Sequence, residues 1–124
     1  MDKALPLTEL ASALPELWSP RVVGRINDQY LKVARVRGEF PWHAHELEDE
    51  MFLVLQGALT IGRIETDGGP LTLHAGEAYI VPRGMRHNTS AIEETLIALV
   101  EPVSTLHTGG EQTALTRSIE EQLS

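Results

Sequence analysis

His43, His45, Glu50 and His87 are the residues in this chain whose types and spacing suit one metal ion. Three imidazoles and one carboxylate form a borderline-hard donor set. Around an octahedral ion they leave positions open, which fits Fe, Mn, Co or Ni and also a catalytic Zn. An extended strand sends alternate side chains to one face, so His43 and His45, two apart, are expected to point the same way. Glu50 has the opposite parity. The acidic run Glu46-Leu47-Glu48-Asp49 must therefore turn the chain and let Glu50 return on the next strand. Met51 to Leu55 is an apolar run of strand length that stops at Gln56-Gly57, a turn signal. Glu48 and Asp49 rival Glu50 as the carboxylate. Glu50 is preferred because it opens the apolar strand and can be held inside, whereas its neighbours belong to a solvated turn. His87 comes from a second stretch, in which the strand-like run Ala78 to Val81 is broken by Pro82 and Gly84.

The elements that must position these groups read as short strands. Arg21 to Ile26 and Gln29 to Arg37 flank the Asn27-Asp28 turn, the second alternating through Leu31 and Val33, with Tyr30 as a packing residue. Ala58 to Glu65 and Pro70 to His74 are joined by Thr66-Asp67-Gly68-Gly69, a hairpin signal. Glu94 to Glu101 is a further strand ending at Pro102. Before them, Thr8 to Trp18 places Leu10, Leu14, Leu17 and Trp18 on one helical face, with Thr8 as the expected cap and Pro15 and Pro20 limiting the segment. Arg117 to Leu123 reads as a charged terminal helix or tail. Many short strands with almost no interior helix indicate a sandwich or barrel.

With 124 residues and no cysteine, the chain is one domain that needs no staples, and disulfides and thiolate metal sites are excluded. The N-terminus lacks a basic start followed by an apolar segment, and no stretch approaches a membrane span, so a cytoplasmic protein is expected. A net charge of −8 repels phosphate backbones, so nucleic acid is not an expected partner.

The two metal-bearing stretches resemble the motifs of the cupin superfamily. Gly38, His43, His45, Glu50 and Gly57 fill the places of cupin motif 1, and Gly76, Pro82, Gly84 and His87 those of motif 2. One departure is visible: Ala91 stands where an Asn often follows the motif 2 histidine, with Asn88 nearby. The resemblance implies a double-stranded β-helix jelly-roll barrel, all-β and RmlC-like, with one divalent transition metal (Fe, Mn, Ni, Co or Zn) inside. It divides the chain into an N-terminal arm (1–20), the barrel (21–110) and a C-terminal tail or short helix (111–124). It also implies a homodimer and a small-molecule ligand or substrate. The pattern is similar to the small single-domain cupins labelled mannose-6-phosphate isomerase-like, a label that names no demonstrated substrate.

Outside the four ligands, Tyr79, Arg83, Arg86 and His107 are candidates by their nearness to the second motif or to the site. The arginines are placed to attract a carboxylate or phosphate, though solvated loop arginines are the commoner case. His107 reads as an exposed loop residue or one that closes over the site. His74 lies outside both motifs and is expected on the surface. Trp42 and Phe52 are candidates for a pocket wall, with core packing the commoner role. The expected function is a metal-dependent isomerase, lyase or oxygenase acting on a small sugar derivative or organic acid in a partly apolar pocket of a few hundred Å³. The alternatives are a non-catalytic small-molecule-binding module and a barrel that keeps its metal for stability alone.

Overall fold

Two long antiparallel strands organise the chain in the computed structural model, which describes residues 3–110 and 112–124. β2 (Gln29–His43) and β7 (His87–Pro102) pair from Gln29↔Pro102 to His43↔His87. Around them run β1 (Arg21–Ile26), β3 (Glu50–Gln56), β4 (Ala58–Arg63), β5 (Leu71–His74) and β6 (Ala78–Val81). The seven strands share one hydrogen-bonded network that folds over on itself. In one leaf the order is β1-β2-β7-β3-β6. The other leaf is formed by the far ends of β2 and β7 with β4 and β5. This is the expected jelly-roll barrel.

The crossing from leaf to leaf is visible in register. β7 pairs with β3 through Leu96 to Val100 and with β4 through His87 to Ser90. Between these halves the register with β2 shifts, and Ile92, Glu93 and Glu94 lie exposed at the corner. Both long strands exceed expectation, since Gln29 to Arg37 continues to His43 and Glu94 to Glu101 begins at His87. Pro41 did not end β2, because a strand can carry a proline where a bulge leaves its nitrogen without a ladder partner. The register shift between Phe40 and His43 supplies that bulge.

Alternation along β2 has a different outcome from a strand with one wet face. Leu31 and Val33 pack with Ala11 and Leu14 of the N-terminal arm, while Ala34 and Val36 belong to the cluster inside the barrel. The arm covers the outer face, so both faces of the strand are buried. Inside, Val54, Leu59 and Ile61 are fully buried, each contributing about 1.5–3 kcal/mol relative to exposure.

The arm helix α1 (Leu7–Ser12) is shorter than expected. Pro6, not Thr8, occupies its N-cap, without a side-chain cap bond. Proline's fixed φ suits a helix start, and Thr8 falls inside the first turn. Trp18 instead ends the arm at φ 58, with its indole nitrogen donating to the Arg37 carbonyl at 2.8 Å. The expected hairpin forms as β4 and β5, with a 3-10 turn at Glu65–Asp67 and left-handed Gly68 and Gly69 between them. At the C-terminus, α2 (Ile119–Leu123) is held by a capping box of Ser118 and Glu121. No helix among the described residues is long and apolar enough to cross a membrane.

Candidate metal centre

Register brings the first two ligands together: His43 closes β2, His87 opens β7, and the two are direct partners across the ladder. Glu50 opens β3 on the same face as Phe52 and Val54, all buried. His45 sits past the end of β2, in the loop of residues 44–49, so strand alternation does not set its direction. A loop contact does. The Gly84 amide donates to the His45 carbonyl at 2.8 Å, tying the first motif to the second. Gly109, at φ 65, lies so close to Ala44 that a side chain there would collide with the backbone between the two histidines.

One ligand atom from each of His43, His45, Glu50 and His87 lies within 4.8 Å of the others, and all four residues are buried. Nδ1 of His43 donates to the Pro41 carbonyl at 2.8 Å and Nδ1 of His87 to the Met85 carbonyl at 3.0 Å. Each bond fixes the tautomer that leaves Nε2 with a free lone pair, the arrangement that metal-ligating histidines need. The Nε2 atoms of His45 and His87 and Oε1 of Glu50 are buried with no hydrogen-bond partner. Oε1 stands 3.4 Å from His45 Nε2 and 3.5 Å from His87 Nε2, long for hydrogen bonds but suited to donors of a shared ion. Unsatisfied buried polar atoms are costly, and a divalent cation satisfies all of them at once. The cluster fits a metal site, with a donor set of nitrogen and oxygen.

Its charges are set for that role. Burial, reinforced by neighbouring His87, lowers His43 to a pKa of about 4, so the ring is neutral near pH 7. Burial alone would raise Glu50, but the adjacent His45 and His87 outweigh it and hold the carboxyl well below its usual range. Glu48 and Asp49 are turned elsewhere. Glu48 accepts from Ser104 Oγ at 2.9 Å, and Asp49 from the Arg83 amide at 2.9 Å.

The site borders a cavity of about 420 Å³, counted with its open mouth. His43 and Glu50 reach its wall, and Trp18, Phe40, Phe52 and Leu99 make most of the remainder apolar. Two charged groups escaped the sequence reading, Glu101 on that wall and Lys32 paired with it. Lys32 is only 2% exposed, with its ammonium 3.5 Å from Glu101 and bonded to Gln122 of α2. Burial and the negative Glu50 raise Glu101 well above the usual carboxylate range, against the pull of Lys32. A signal for them existed in parity: Lys32 alternates with Ala34 and Val36, and Glu101 with Ile97 and Leu99, on the cavity side of their strands.

His107 is brought to the cavity rather than left in solvent. Its ring lies 5.0 Å from Phe40, and its Nδ1 accepts the Arg117 amide at 2.9 Å. Burial, then Lys32, lowers it to a pKa of about 4. The other candidates stay away. Tyr79 hydroxyl accepts from Arg63 at 3.2 Å, Arg83 and Arg86 are exposed, and His74 is on the surface as expected. Trp42 is 39% exposed, while Phe52 is both core and cavity wall.

Residues 32–101 match the Cupin domain family (Cupin_2). A Bacillus subtilis (strain 168) protein, the uncharacterized YdbB, is 31% identical over 101 residues, 82% of this chain and 88% of that protein. The crystal structure of a cupin-2 domain containing protein from Shewanella frigidimarina NCIMB 400 is similar with a TM-score of 0.74 and 38% identity. That likeness covers 80% of this chain and 94% of the other. Hydroquinone 1,2-dioxygenase PnpCD, in complex with Cd2+ and 4-hydroxybenzonitrile, has a TM-score of 0.66 at 17% identity, over 82% of this chain and 78% of that one, a likeness of fold alone.

Proposed function

The chain belongs to the cupin family, and from that premise we propose that it is a metal-dependent enzyme of isomerase, lyase or oxygenase type acting on a small oxygenated molecule, a sugar derivative or an organic acid. One observation carries this reading. Three buried, unpartnered ligand atoms converge with a fourth ligand, His43, in a cluster that reaches an apolar cavity through His43 and Glu50. A site kept for stability alone has no need of a cavity at its edge. His43, His45, Glu50 and His87 would hold one divalent transition metal, which when bound supplies Lewis-acid polarisation of a substrate oxygen.

The chain's own residues do the rest. Pro41 and Met85 carbonyls hold the His43 and His87 rings in one tautomer. Trp18, Phe40 and Phe52 exclude water, which strengthens each electrostatic contact inside. Glu101, whose carboxyl is raised well above the usual range by burial and by the negative Glu50, is the group placed to give or take a proton at the cavity wall. The mannose-6-phosphate isomerase-like label is one branch of this proposal, and the homodimer is another, supported by the open edge strands β1 and β6 with exposed Ile26 and Ile80.

The test is elemental analysis by mass spectrometry of protein purified without chelator or metal-affinity resin, beside His45→Ala and His74→Ala variants. Near-stoichiometric Fe, Mn, Ni, Co or Zn is expected in the parent and in His74→Ala, and its loss in His45→Ala. A folded parent that holds no metal even after reloading overturns the enzyme reading and leaves a plain binding barrel.

A further inference from the structure

The reading above leaves sugar derivative and organic acid open, and the cavity distinguishes them. A hexose carries hydroxyl groups around its whole ring, and each one buried without a partner costs about 1–3 kcal/mol. Trp18, Phe40, Phe52 and Leu99 offer no such partners. The polar lining groups are few: His43 and Glu50 meet at the ligand cluster, Glu101 lies against Glu50, and Thr89 and His107 complete them. A ligand that fits has an apolar body and a polar function at one end.

The geometry of His107 says which function. Its Nδ1 accepts the Arg117 backbone N–H, a donor that cannot rotate or change state. The neutral ring must then carry its proton on Nε2. No partner for that N–H is found among the described residues, the ring borders the cavity, and Phe40 packed against it fixes its plane. It is a donor in search of an acceptor.

Charge agrees. With a divalent cation in the site, the cation and buried Lys32 outweigh Glu50 and Glu101 even when both carboxylates are ionised, so the polar end of the cavity stays net positive. Resting on the metal-site reading, we propose that the cavity takes a compact organic acid with a largely apolar body, and that His107 is a positioning residue whose Nε2–H donates to the acid's carboxylate.

The experiment uses the full chain reconstituted with zinc, its metal content measured, with benzoate and cyclohexanecarboxylate as probes and mannose as the contrast. Binding is followed by calorimetry, and the His107 ring by proton–nitrogen NMR. Wild type is expected to bind both acids and not mannose at the same concentration, and to show His107 as the Nε2–H tautomer with its Hε2 resonance shifted by benzoate. His107→Phe keeps the packing on Phe40 and removes the donor, so benzoate binding should weaken by about tenfold or more. His107→Gln, whose amide nitrogen occupies the place of Nε2, should recover most of it. A purely structural role would not distinguish those two variants at equal melting temperature. An Nδ1–H tautomer, unchanged benzoate affinity in His107→Phe, or mannose binding as well as benzoate overturns this inference while stoichiometric zinc leaves the metal site intact. Failure to retain zinc overturns the metal reading itself, and this inference with it.

Discussion

Metal-free protein should gain stability as pH rises to about 6.5 and lose it above that while Glu101 keeps its proton, for reasons that trace to three groups on the cavity wall. His43 and His107 are both lowered from 6.5 to about 4 in the folded chain. Between those values the unfolded chain binds two protons that the folded chain refuses, so stability rises with pH across this window and is lost as pH falls. Glu101 acts in the opposite sense. Its folded pKa is raised above 4.5, so above that pH the folded chain keeps a proton that the unfolded chain releases, and stability falls as pH rises. While Glu101 keeps its proton in the folded chain, the three together leave a net uptake of one proton on unfolding between pH 5 and 6.5, a slope of about +1.4 kcal/mol per pH unit. Above pH 6.5 the imidazoles drop out and Glu101 alone leaves a slope of about −1.4 kcal/mol per unit until it ionises in the folded chain. Urea unfolding of chelator-treated protein at half-unit intervals from pH 5 to 8 measures both limbs. Glu101→Gln should flatten the upper limb and roughly double the lower one. A flat or falling profile from pH 5 to 6.5, or a variant with the wild-type upper limb, refutes the assignment of these protonation states.

Two further outcomes test the frame that holds the site. Gly57→Ala forces a side chain at φ 94 to within 2.5 Å of Thr95 Oγ1 and 3.2 Å of its Cα, so urea unfolding should show a loss of about 2–4 kcal/mol. Ser118→Ala removes the capping box of α2 and should cost about 1 kcal/mol. Hydrogen exchange should quicken first at Ile119–Leu123, and since Gln122 bonds Lys32, the change should be felt at the cavity wall.

The convergence of His43, His45, Glu50 and His87 into one buried cluster was legible because its determinants are local. The Pro82 and Gly84 break fixes how far His87 stands from β6, and the turn before Glu50 returns the carboxylate to the inner face. What local spacing could not show was how His45 is aimed, since a carbonyl contact to Gly84 decides it, 39 residues away in the chain. Lys32 was hidden for another reason. A lysine between Leu31 and Val33 looks like the wet face of a strand, but the arm buries Leu31 and Val33 on the outer face, which leaves Lys32, with Ala34 and Val36, pointing into the barrel. Glu101 was read as the end of a strand for the same cause. His107 depended on a tertiary contact with the backbone of Arg117, which no periodicity reports. Thr8 failed as a cap because the helix starts two residues earlier, behind Pro6.

The corner of β7 sets where this chain can change length. On either side of it, His87 and Glu101 face inward by strict alternation, and one inserted residue within a paired half would invert every side chain between the insertion and the strand's end. Ile92, Glu93 and Glu94 are outside that constraint, since they are exposed and the ladder with β2 is already out of step there. Insertions and deletions should therefore be tolerated at this corner and purged from the rest of the strand. A peptide grafted between Ile92 and Glu94 would be displayed on the outside of the barrel, leaving both the metal ligands and the cavity wall in register.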